Sequence, residues 1–380
     1  MNVQVKLFEG HLHYGPDVVL YTASSGSVPY LDELYLVFES ERGVVALGGI
    51  RINVEYLTGI PKDEIKEQVI DWLSTANLGG EYSDLLDRLH HDTLVSNPVR
   101  ALIDQTLHDG LARIQGVPIC GLWGQVVKGG IETNQTLFWS DDTAMLKVAE
   151  TYVARGFMTL KLRMGVGTFE DDVRRIAKLR DRFGNTIILS GDVNGHWSDE
   201  LALDRINALQ KFDLKYLEQP VSKSSWKAIT SLANGSPIPI MLDESVSSIA
   251  DVDRIIAIGG QLSAHLKLIK FGGLRPLMLA GQKLCDAGVP IMVGQMNEGA
   301  LATAAAAHAA VSLSTSGNEL YGADGILDDP AEAIRYQNGK VFLTKEPGIG
   351  LTFNPSNLKK CWERTISAHP ISQSQFHQPV

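Results

Sequence analysis

The segment Thr159–Met164 reads TLKLRM and is followed by GVG and then by the strongly helical run FEDDVRRIAKLRDRFG. Leu160 and Leu162 alternate with polar residues, which predicts a short strand with Lys161 and Arg163 projecting from the same face. A strand that leads into a helix in this way is typical of a parallel sheet covered on both faces. Two cations on such a strand need either an anionic partner or a position at a solvated sheet edge.

The same strand–helix unit recurs along the chain. Six units follow one another, with the strands TLKLRM, TIILSGDVNG, LKYLEQP, IPIMLDES, AHLKLIKFGG and VPIMVGQMNE, and QTLFWS near residue 135 is interpreted as an earlier first strand. Such alternation is typical of a (β/α) barrel or of a doubly wound sheet. Because no GxGxxG turn accompanies these units, we favour the barrel.

The two ends of the chain have different patterns. Residues 1–125 read as strands followed by helices, which predicts an α+β domain, and residues 126–325 contain the regular barrel units. Residues 326–380 contain strand-like sequence without further regular units. We predict that this C-terminal segment packs back on the N-terminal domain.

Composition narrows the class of protein. A chain of 380 residues suggests two domains, and 44% apolar with 21% charged residues is ordinary for a soluble globular protein. A net charge of −10 argues against nucleic acid as the main partner. Three widely spaced cysteines, with no visible signal peptide and no long apolar run, predict a cytoplasmic protein without a membrane partner.

Charged and polar residues recur where successive predicted strands end. These are Lys161, Arg163, Asp192, Asn194, Glu218, Asp243, Glu244, Lys267 and Glu298. One strand–helix unit separates each group from the next, so we expect all of them at the mouth of the barrel, where barrel enzymes carry their active sites.

The acids Asp192, Glu218 and Asp243 would repel one another in a shared cavity. A hard divalent cation relieves that repulsion, and a set of oxygen ligands suits Mg²⁺. No His or Cys joins the three acids, which argues against zinc. The cations Lys161 and Arg163 are expected across the barrel from Lys267, facing a metal and an anionic small-molecule substrate.

In its motifs the sequence resembles the enolase superfamily, and most closely the muconate-lactonizing-enzyme-like and mandelate-racemase-like branch. The matching stretches are TLKLRM, GDVNG, LEQP, LDES, LKLIKFGG and GQMNEG, in the family's order over nearly the whole chain. The resemblance implies an N-terminal capping domain over a modified TIM barrel of (β/α)7β type, and a homo-oligomer. It also implies Mg²⁺ on Asp192, Glu218 and Asp243, and abstraction of a proton alpha to a carboxylate by Lys267, whose pKa we expect to be lowered.

Arg163 departs from the family pattern, in which the second residue of the Lys-x-Lys pair is commonly a lysine. A guanidinium keeps its proton and so is a poor proton shuttle, but it binds anions well. A one-base reaction is therefore favoured: elimination of water from a small hydroxy acid or from a hydroxylated amino acid such as a hydroxyproline, or from a sugar acid. The alternatives are an amino-acid or hydroxy-acid racemase or epimerase, less favoured a cycloisomerase, and remotely a non-catalytic binding barrel.

Two loops of the N-terminal domain are expected to determine specificity. YTASSGSVP and GGIRINVEY contribute Tyr21, Ser24, Ser25, Arg51 and Tyr56 as hypothetical substrate contacts, and His196 is another. Asn194, Glu244 and Glu298 are predicted to support the site, and Lys270 to lie at the surface or behind the site. The polar character of the first loop favours a small hydrophilic acid over a diene acid.

Overall fold

The chain begins with an antiparallel sheet. The computed structural model describes residues 2–15, 18–332 and 334–367. The first strands are β1 (Asn2–Leu12), β2 (Leu20–Thr22), β3 (Gly26–Val28), β4 (Leu31–Ser40) and β5 (Gly43–Arg51). β4 lies between β1 and β5, while β2 and β3 form a separate hairpin. β1 alternates exposed and buried residues over its first half, so the sheet buries one face there.

Helices cover the buried face of this sheet. They are α1 (Glu55–Thr58), α2 (Lys62–Thr75), α3 (Tyr82–His91) and α4 (Asn97–Gln115), followed by a 3₁₀ turn at Ile119–Trp123. α4 begins with a proline in its first turn and ends at the left-handed Gly116, as helix ends commonly do. Across the described residues, no helix combines the length and the apolar character needed to cross a membrane.

Eight parallel strands form the centre of the molecule. After the short β6 (Ile131–Glu132), strands and helices alternate as β7 (Gln135–Leu137), α5 (Asp142–Ala154), β8 (Thr159–Arg163), α6 (Phe169–Phe183), β9 (Ile188–Asp192), α7 (Asp199–Leu209), β10 (Leu217–Glu218), α8 (Trp226–Gly235), β11 (Ile240–Leu242), α9 (Ile249–Ile258), β12 (Leu262–Lys267), α10 (Leu268–Phe271), α11 (Leu274–Asp286), β13 (Ile291–Gly294), α12 (Ala300–Ser312) and β14 (Gly317–Glu319). A 3₁₀ turn, Gln210–Phe212, follows α7.

The sheet closes into a barrel. β7 to β14 pair in chain order, each with its sequence neighbours. The first and last strands approach through the Asn134 amide, which donates to the Asn318 carbonyl at 3.1 Å, and through the Leu320 amide, which donates to the Thr133 hydroxyl at 2.8 Å. The predicted modified TIM barrel with a strand-rich N-terminal cap is confirmed.

Local sequence explains how each strand is followed by its helix. At the start of α6, the Thr168 hydroxyl accepts from the Asp171 amide, and the Asp171 carboxylate accepts from the Thr168 amide. This capping box satisfies two helix N-terminal amides that would otherwise lack partners. Ile176 and Leu179 then bury one face of α6 against the barrel.

The C-terminal segment contacts both the first sheet and the barrel. It contains β15 (Ala331–Glu332), β16 (Arg335–Gln337), β17 (Lys340–Phe342), β18 (Thr352–Phe353), a 3₁₀ turn at Pro355–Asn357, and β19 (Lys359–Ser367). β19 pairs with β1 in the N-terminal sheet, and β17 pairs with β6. The boundaries at residues 125 and 325 remain a prediction, and residues 368–380 of the predicted C-terminal segment lie outside the described residues.

Candidate active site

Three carboxylates meet at one rim of the barrel. Asp192 and Glu218 are the last residues of β9 and β10, and Asp243 directly follows β11. All three side chains are buried. The backbone turns sharply next to them, because Asn194 and Gln219 adopt positive φ angles of 49° and 37°. Non-glycine residues in this region cost energy and are concentrated at functional sites.

Lys161 lies beneath this rim among carboxylates. Its ammonium is 3.3 Å from Asp192 Oδ2, 3.2 Å from Glu218 Oε2 and 2.5 Å from Glu319 Oε2, and the side chain is fully buried. Burial disfavours the ammonium, but the carboxylates outweigh it and hold the pKa of Lys161 well above its ordinary value. The first of the two cations in TLKLRM therefore has anionic partners. Lys161 neutralises part of the negative charge of these acids. A catalytic role for Lys161 stays a prediction.

Arg163 projects into the cavity above Lys161. Its Nη1 forms an ion pair with Asp192 and lies 3.4 Å from Asn194 Oδ1. The side chain is only slightly exposed, and it lines the cavity at the barrel mouth. The structure thus brings Asn194 next to Asp192 and Arg163, and its supporting role stays a prediction.

Two lysines share Asp243. Lys267 Nζ donates to Asp243 Oδ2 at 2.6 Å, and Lys270 Nζ lies 2.5 Å from Asp243 Oδ1. Lys270 also donates to the backbone carbonyls of Asp243 and His265. The surface position considered for Lys270 is wrong, because these three acceptors hold its ammonium behind the site. Although burial disfavours the Asp243 carboxylate, the two lysines hold the pKa of Asp243 well below its ordinary value.

The expected lowering of the Lys267 pKa is absent. Burial disfavours the ammonium, but the charges of Asp243, Glu319 and Glu218 outweigh it and raise the pKa of Lys267 above its ordinary value. The expectation took account of the neighbouring cations and of the burial of Lys267. The sequence does not show that Asp243 pairs directly with Lys267.

The acidic group has the composition of a site for a hard cation. Glu244 is partly buried, and its Oε2 is a buried oxygen without a hydrogen-bond partner among the described residues. Burial, together with the charges of Asp243 and Asp192, raises the pKa of Glu244 to about 7. Burial likewise raises the pKa of Asp192, and the Glu218 charge adds to it. Buried carboxylates that raise one another's pKa values in this way are stabilised when a cation binds.

His265 offers a possible nitrogen ligand at the same place. Glu218, Asp243 and His265 each have a ligand atom within 4.8 Å of the others. However, His265 Nδ1 lies 3.0 Å from Glu218 Oε1, a carboxylate oxygen that can only accept a hydrogen bond. That nitrogen is engaged by Glu218, whereas His265 Nε2 has no hydrogen-bond partner among the described residues. Asp192 is not part of this group of mutually close ligand atoms, so the set Asp192, Glu218 and Asp243 stays a prediction.

A narrow cavity lies above the acids and is partly open to solvent. From the barrel it is lined by Phe138, Arg163, Asn194, Asp243, Glu244, Lys267, Gln295, Met296, Asn297 and Tyr321. From the N-terminal domain it is lined by Leu20, Thr22, Ser25, Val28, Arg51, Tyr56 and Leu57. Thr22, Ser25, Arg51 and Tyr56 give this wall polar groups, and Leu20, Val28 and Leu57 add apolar surface to it. The preference for a small hydrophilic acid over a diene acid stays a prediction.

The hypothetical substrate contacts divide into two groups. Ser25, Arg51 and Tyr56 line the cavity, whereas Tyr21, Ser24 and His196 are not part of the described lining. The Ser24 hydroxyl is 3.5 Å from the Asn194 carbonyl, and His196 Nδ1 is 2.8 Å from the same oxygen, so both lie beside the site.

Glu298 is buried behind the cavity, at the end of the loop that follows β13. Its Oε1 accepts from the Met296 amide at 3.0 Å. Burial raises the pKa of Glu298 to about 7. Among the described residues no hydrogen bond or ion pair joins it to Lys267, although the Lys267 charge does act on it, so its predicted supporting role stays a prediction.

Sequence reasoning missed Glu319, His265 and Tyr321. His265 stands two residues before Lys267 on one strand, and so on the same face, which was a usable signal. Glu319 and Tyr321 belong to NELYG, whose strand β14 is too short to show a period.

Comparison with known proteins agrees with this architecture. Residues 144–357 match the family model described as enolase C-terminal domain-like. Muconate cycloisomerase 1 of Pseudomonas putida is 26% identical over 324 residues, covering 82% of this chain and 81% of the relative. L-Ala-D/L-Glu epimerase of Bacillus subtilis is 28% identical over 302 residues, covering 78% and 82% respectively.

Solved structures show the same fold. The dipeptide epimerase of Cytophaga hutchinsonii, solved with Mg and D-Ala-L-Val, superposes with a TM-score of 0.87 at 24% identity, covering 97% of this chain and all of that one. The N-succinyl Arg/Lys racemase of Bacillus cereus gives 0.88 at 22% identity, with the same coverage. The chain therefore belongs to the enolase C-terminal domain-like family, in the enolase-superfamily branch that includes muconate cycloisomerase and the dipeptide epimerases.

Proposed function

We propose that the protein is an isomerase that removes the proton alpha to the carboxylate of a small substrate and returns a proton to the same carbon, as a racemase or epimerase. The observation that carries this proposal is the position of Lys267, the one lysine in the described cavity lining, beside Asp243. The names of the relatives support it, since they are epimerases, racemases and cycloisomerases.

Asp192, Glu218 and Asp243 would hold Mg²⁺. Three carboxylate ligands from neighbouring strands, with the partly buried Glu244 beside them, form an oxygen donor set that suits this ion. When bound there, Mg²⁺ supplies positive charge that stabilises the negative charge developing on the substrate carboxylate. Lys161 remains beneath as a fixed cation and holds the ligands Asp192 and Glu218 in place.

Lys267 is the proposed base. Asp243 holds the proton on Lys267 while the two form an ion pair. An Asp243 carboxylate bound to a divalent cation compensates the ammonium less, so Lys267 gives up its proton more readily. Metal binding and activation of the base are thus coupled through one carboxylate.

No second lysine lines the described part of the cavity to return the proton. Arg163 keeps its own proton, and it can stabilise an anion nearby. Tyr321 also lines the cavity; burial raises the pKa of this phenol, and the Arg163 charge opposes that rise. A protonated Tyr321 can donate, and Arg163 favours the phenolate that remains. We assign Tyr321 as the proton donor that complements Lys267.

Dehydration is the second candidate, and Arg163 is the observation that favours it. Elimination of water from a β-hydroxy acid needs only one base, because the α-carbon loses a proton and is not reprotonated on its other face. Lys267 would take the α-proton and an acid would protonate the leaving hydroxyl. The relatives give this reaction no support.

Proton NMR in D₂O with Mg²⁺ separates the two reactions. The panel contains dipeptides, N-acyl amino acids, hydroxyprolines and small hydroxy acids. Isomerisation predicts deuterium at the α-carbon with both configurations accumulating. Dehydration predicts loss of the β-hydroxyl and an α,β-unsaturated acid, which becomes a 2-keto acid where the α-carbon carries a hydroxyl and is an enamine where it carries an amine. If no compound in the panel shows either isomerisation or dehydration, the proposed function is contradicted.

A further inference from the structure

Arg175 is a buried cation on the outer helix α6. Its side chain is 1% exposed, and among the ion pairs of the described residues its carboxylate partner is Asp172, whose Oδ1 lies 4.0 Å from Nη1. A buried charge with so distant a counter-charge is costly, and an apolar side chain would fill the same space without that cost. Packing alone therefore does not explain an arginine here, which points to a use of its hydrogen-bond donors.

The Arg175 guanidinium donates to two backbone carbonyls at the barrel rim. Nη1 donates to the Arg163 carbonyl at 2.8 Å, and Nη2 donates to the Phe138 carbonyl at 3.1 Å. Arg163 is the last residue of β8, and Phe138 directly follows β7. Both residues line the cavity. One side chain from the outer helix layer thus holds two neighbouring parts of the cavity wall by their backbone.

Trp139 fixes the orientation of this guanidinium. Arg175 Cζ lies 4.6 Å from the centre of the Trp139 ring. A guanidinium is planar and stacks on aromatic faces, whereas the ammonium of a lysine is a point charge. The ring is itself closely packed, because a Cβ on Gly167 would lie 2.5 Å from its Cη2 atom. The guanidinium therefore has a defined position from which both Nη groups reach their carbonyls.

The peptide group between Phe138 and Trp139 is hydrogen-bonded at both of its ends. Its carbonyl oxygen accepts from Arg175 Nη2, and its N–H donates to the Tyr21 carbonyl at 3.1 Å. A charged donor on the oxygen polarises the peptide group, and this strengthens the bond that the N–H makes on the other side. Arg175 thus acts on Tyr21 through one intervening peptide group.

Tyr21 belongs to the β2–β3 hairpin, which pairs with no other strand of the described sheets. Among the hydrogen bonds of the described residues, two join this hairpin to the barrel. One is the bond from the Trp139 amide to Tyr21, and the other, at 3.5 Å, runs from the Ser24 hydroxyl to the Asn194 carbonyl. The first is shorter and is strengthened by a charge, so we expect it to hold the hairpin more tightly. The position of the hairpin shapes the cavity, because its lining includes Leu20, Thr22, Ser25 and Val28.

We propose that Arg175 is a positioning residue that docks the β2–β3 hairpin on the barrel through the Phe138–Trp139 peptide group. The docked hairpin completes the cavity, so Arg175 contributes to substrate binding from behind the cavity wall. The inference rests on the proposed function, because it takes this cavity as the substrate site. No hydrogen bond or ion pair of the described residues joins Arg175 to Lys267 or to the carboxylates at the rim, so proton transfer should change less than binding.

A purely structural role for Arg175 makes a different prediction. Ile176 and Leu179 bury one face of α6 against the barrel, and Arg175 lies beside them in the sequence. If Arg175 served only to hold α6 in place, its replacement would loosen α6 and the neighbouring barrel strands together. A docking role confines the change to the hairpin and to the Phe138–Trp139 segment.

Hydrogen–deuterium exchange at peptide resolution separates the two roles in the full-length protein. The variants are Arg175→Met, which has no donor, and Arg175→Lys, which keeps a buried cation but loses the planar fork. The control is Arg174→Met on the same helix, because Arg174 is half exposed and pairs with Asp142 and Asp171. Thermal unfolding shows which variants are folded, and Arg175→Lys is decisive if Arg175→Met does not fold.

The inference predicts that residues 20–28 and 138–139 exchange at least about ten times faster in Arg175→Met than in the wild type, and at least about three times faster in Arg175→Lys. Exchange in α6 and in the β1–β4 ladder should change less than about twofold, and the control should keep the wild-type rates. Unchanged exchange of the hairpin in a folded Arg175 variant, or an equal increase in α6 and the hairpin, would overturn the inference. A hairpin that exchanges without protection in the wild type would also overturn it.

Kinetics on a substrate of the wild type give a second readout. Arg175→Lys should raise KM by at least about fivefold and change kcat by less than about threefold, since the contacts of Lys267 are left in place. A lower kcat with an unchanged KM would contradict a role in binding. If no substrate is turned over, the proposed function fails, and the exchange of the hairpin still tests the role of Arg175.

Discussion

Lys267 Nζ lies 2.6 Å from Asp243 Oδ2, at the rim where β11 and β12 end side by side. This contact joins the proposed base to a proposed metal ligand. It explains why the pKa of Lys267 is raised, since the Asp243 charge outweighs the effect of burial. Under the proposed function, Lys267 would release its proton more readily when a cation binds Asp243.

The first prediction concerns metal binding. Asp243→Asn should weaken Mg²⁺ binding by about a hundredfold or more, because one of three anionic ligands is lost. Calorimetric titration measures the affinity, and the rise in Tm with Mg²⁺ should shrink in parallel. The control is Asp181→Asn on the outer helix α6. An unchanged Mg²⁺ affinity in Asp243→Asn would show that the acids are not the metal site.

The second prediction concerns the asymmetry between the two faces of the substrate. Lys267 removes a proton from one face, while the other face has Arg163, which cannot act as a base, and Tyr321, whose raised pKa keeps it a weak acid and disfavours its phenolate. Exchange of the substrate α-hydrogen with D₂O should therefore be faster from one configuration by at least about tenfold. Arg163→Lys should reduce this ratio because it introduces a second titratable amine. Equal exchange rates from both configurations in the wild type would contradict the role given to Arg163.

The third prediction concerns Lys161. Its removal leaves the buried Asp192, Glu218 and Glu319 without their shared cation, so Lys161→Met should lower the free energy of unfolding by about 3–5 kcal/mol. Denaturant unfolding without Mg²⁺ measures it. The double variant Lys161→Met/Glu319→Gln should regain part of the lost unfolding free energy, because it has one buried negative charge fewer than Lys161→Met.

The matched control for Lys161 is an exposed lysine. Lys178 is half exposed and lies 3.0 Å from Asp142, so Lys178→Met should change the unfolding free energy by less than about 1 kcal/mol. Equal losses for the buried and the exposed lysine would contradict the view that Lys161 balances the acids.

The fourth prediction concerns Glu298 and pH. Burial raises the folded-state pKa of Glu298 to about 7 from an ordinary value of 4.5. Between pH 4.5 and pH 7, Glu298 is therefore protonated to a greater extent in the folded protein than in the unfolded chain. The stabilisation from this proton is fully present below pH 4.5 and is lost as the pH rises through 7. Glu298→Gln mimics the protonated acid, so relative to the variant the wild type should lose up to about 3 kcal/mol of unfolding free energy from pH 4.5 to pH 8.

Urea unfolding at several pH values measures this difference. The exposed Glu346 serves as the control, since Glu346→Gln should give a difference that does not vary with pH in this way. If the difference between wild type and Glu298→Gln stays flat from pH 4.5 to pH 8, Glu298 is not held protonated by its surroundings.

The sequence was sufficient to predict the barrel and the positions of Asp192, Glu218 and Asp243, because parallel strands with one helix between them bring their carboxyl ends to one rim. It was not sufficient to predict which charges pair. Lys161 and Arg163 share a face, yet one lies among three carboxylates and the other reaches the cavity. That difference depends on Glu319, which contacts Lys161 but belongs to the last barrel strand, β14, far from Lys161 in the sequence. Part of the apolar lining likewise comes from Leu20, Leu57 and Phe138, outside the loops that the sequence indicated, although Val28 lies within the first of them.

The most direct test of the central claim is α-hydrogen exchange in D₂O with Mg²⁺, comparing the wild type, Lys267→Ala and the exposed control Lys227→Ala. We predict exchange in the wild type and in Lys227→Ala, and a loss of at least about a hundredfold in Lys267→Ala with an unchanged Tm in Mg²⁺. Exchange at the wild-type rate in a folded Lys267→Ala protein would contradict the account.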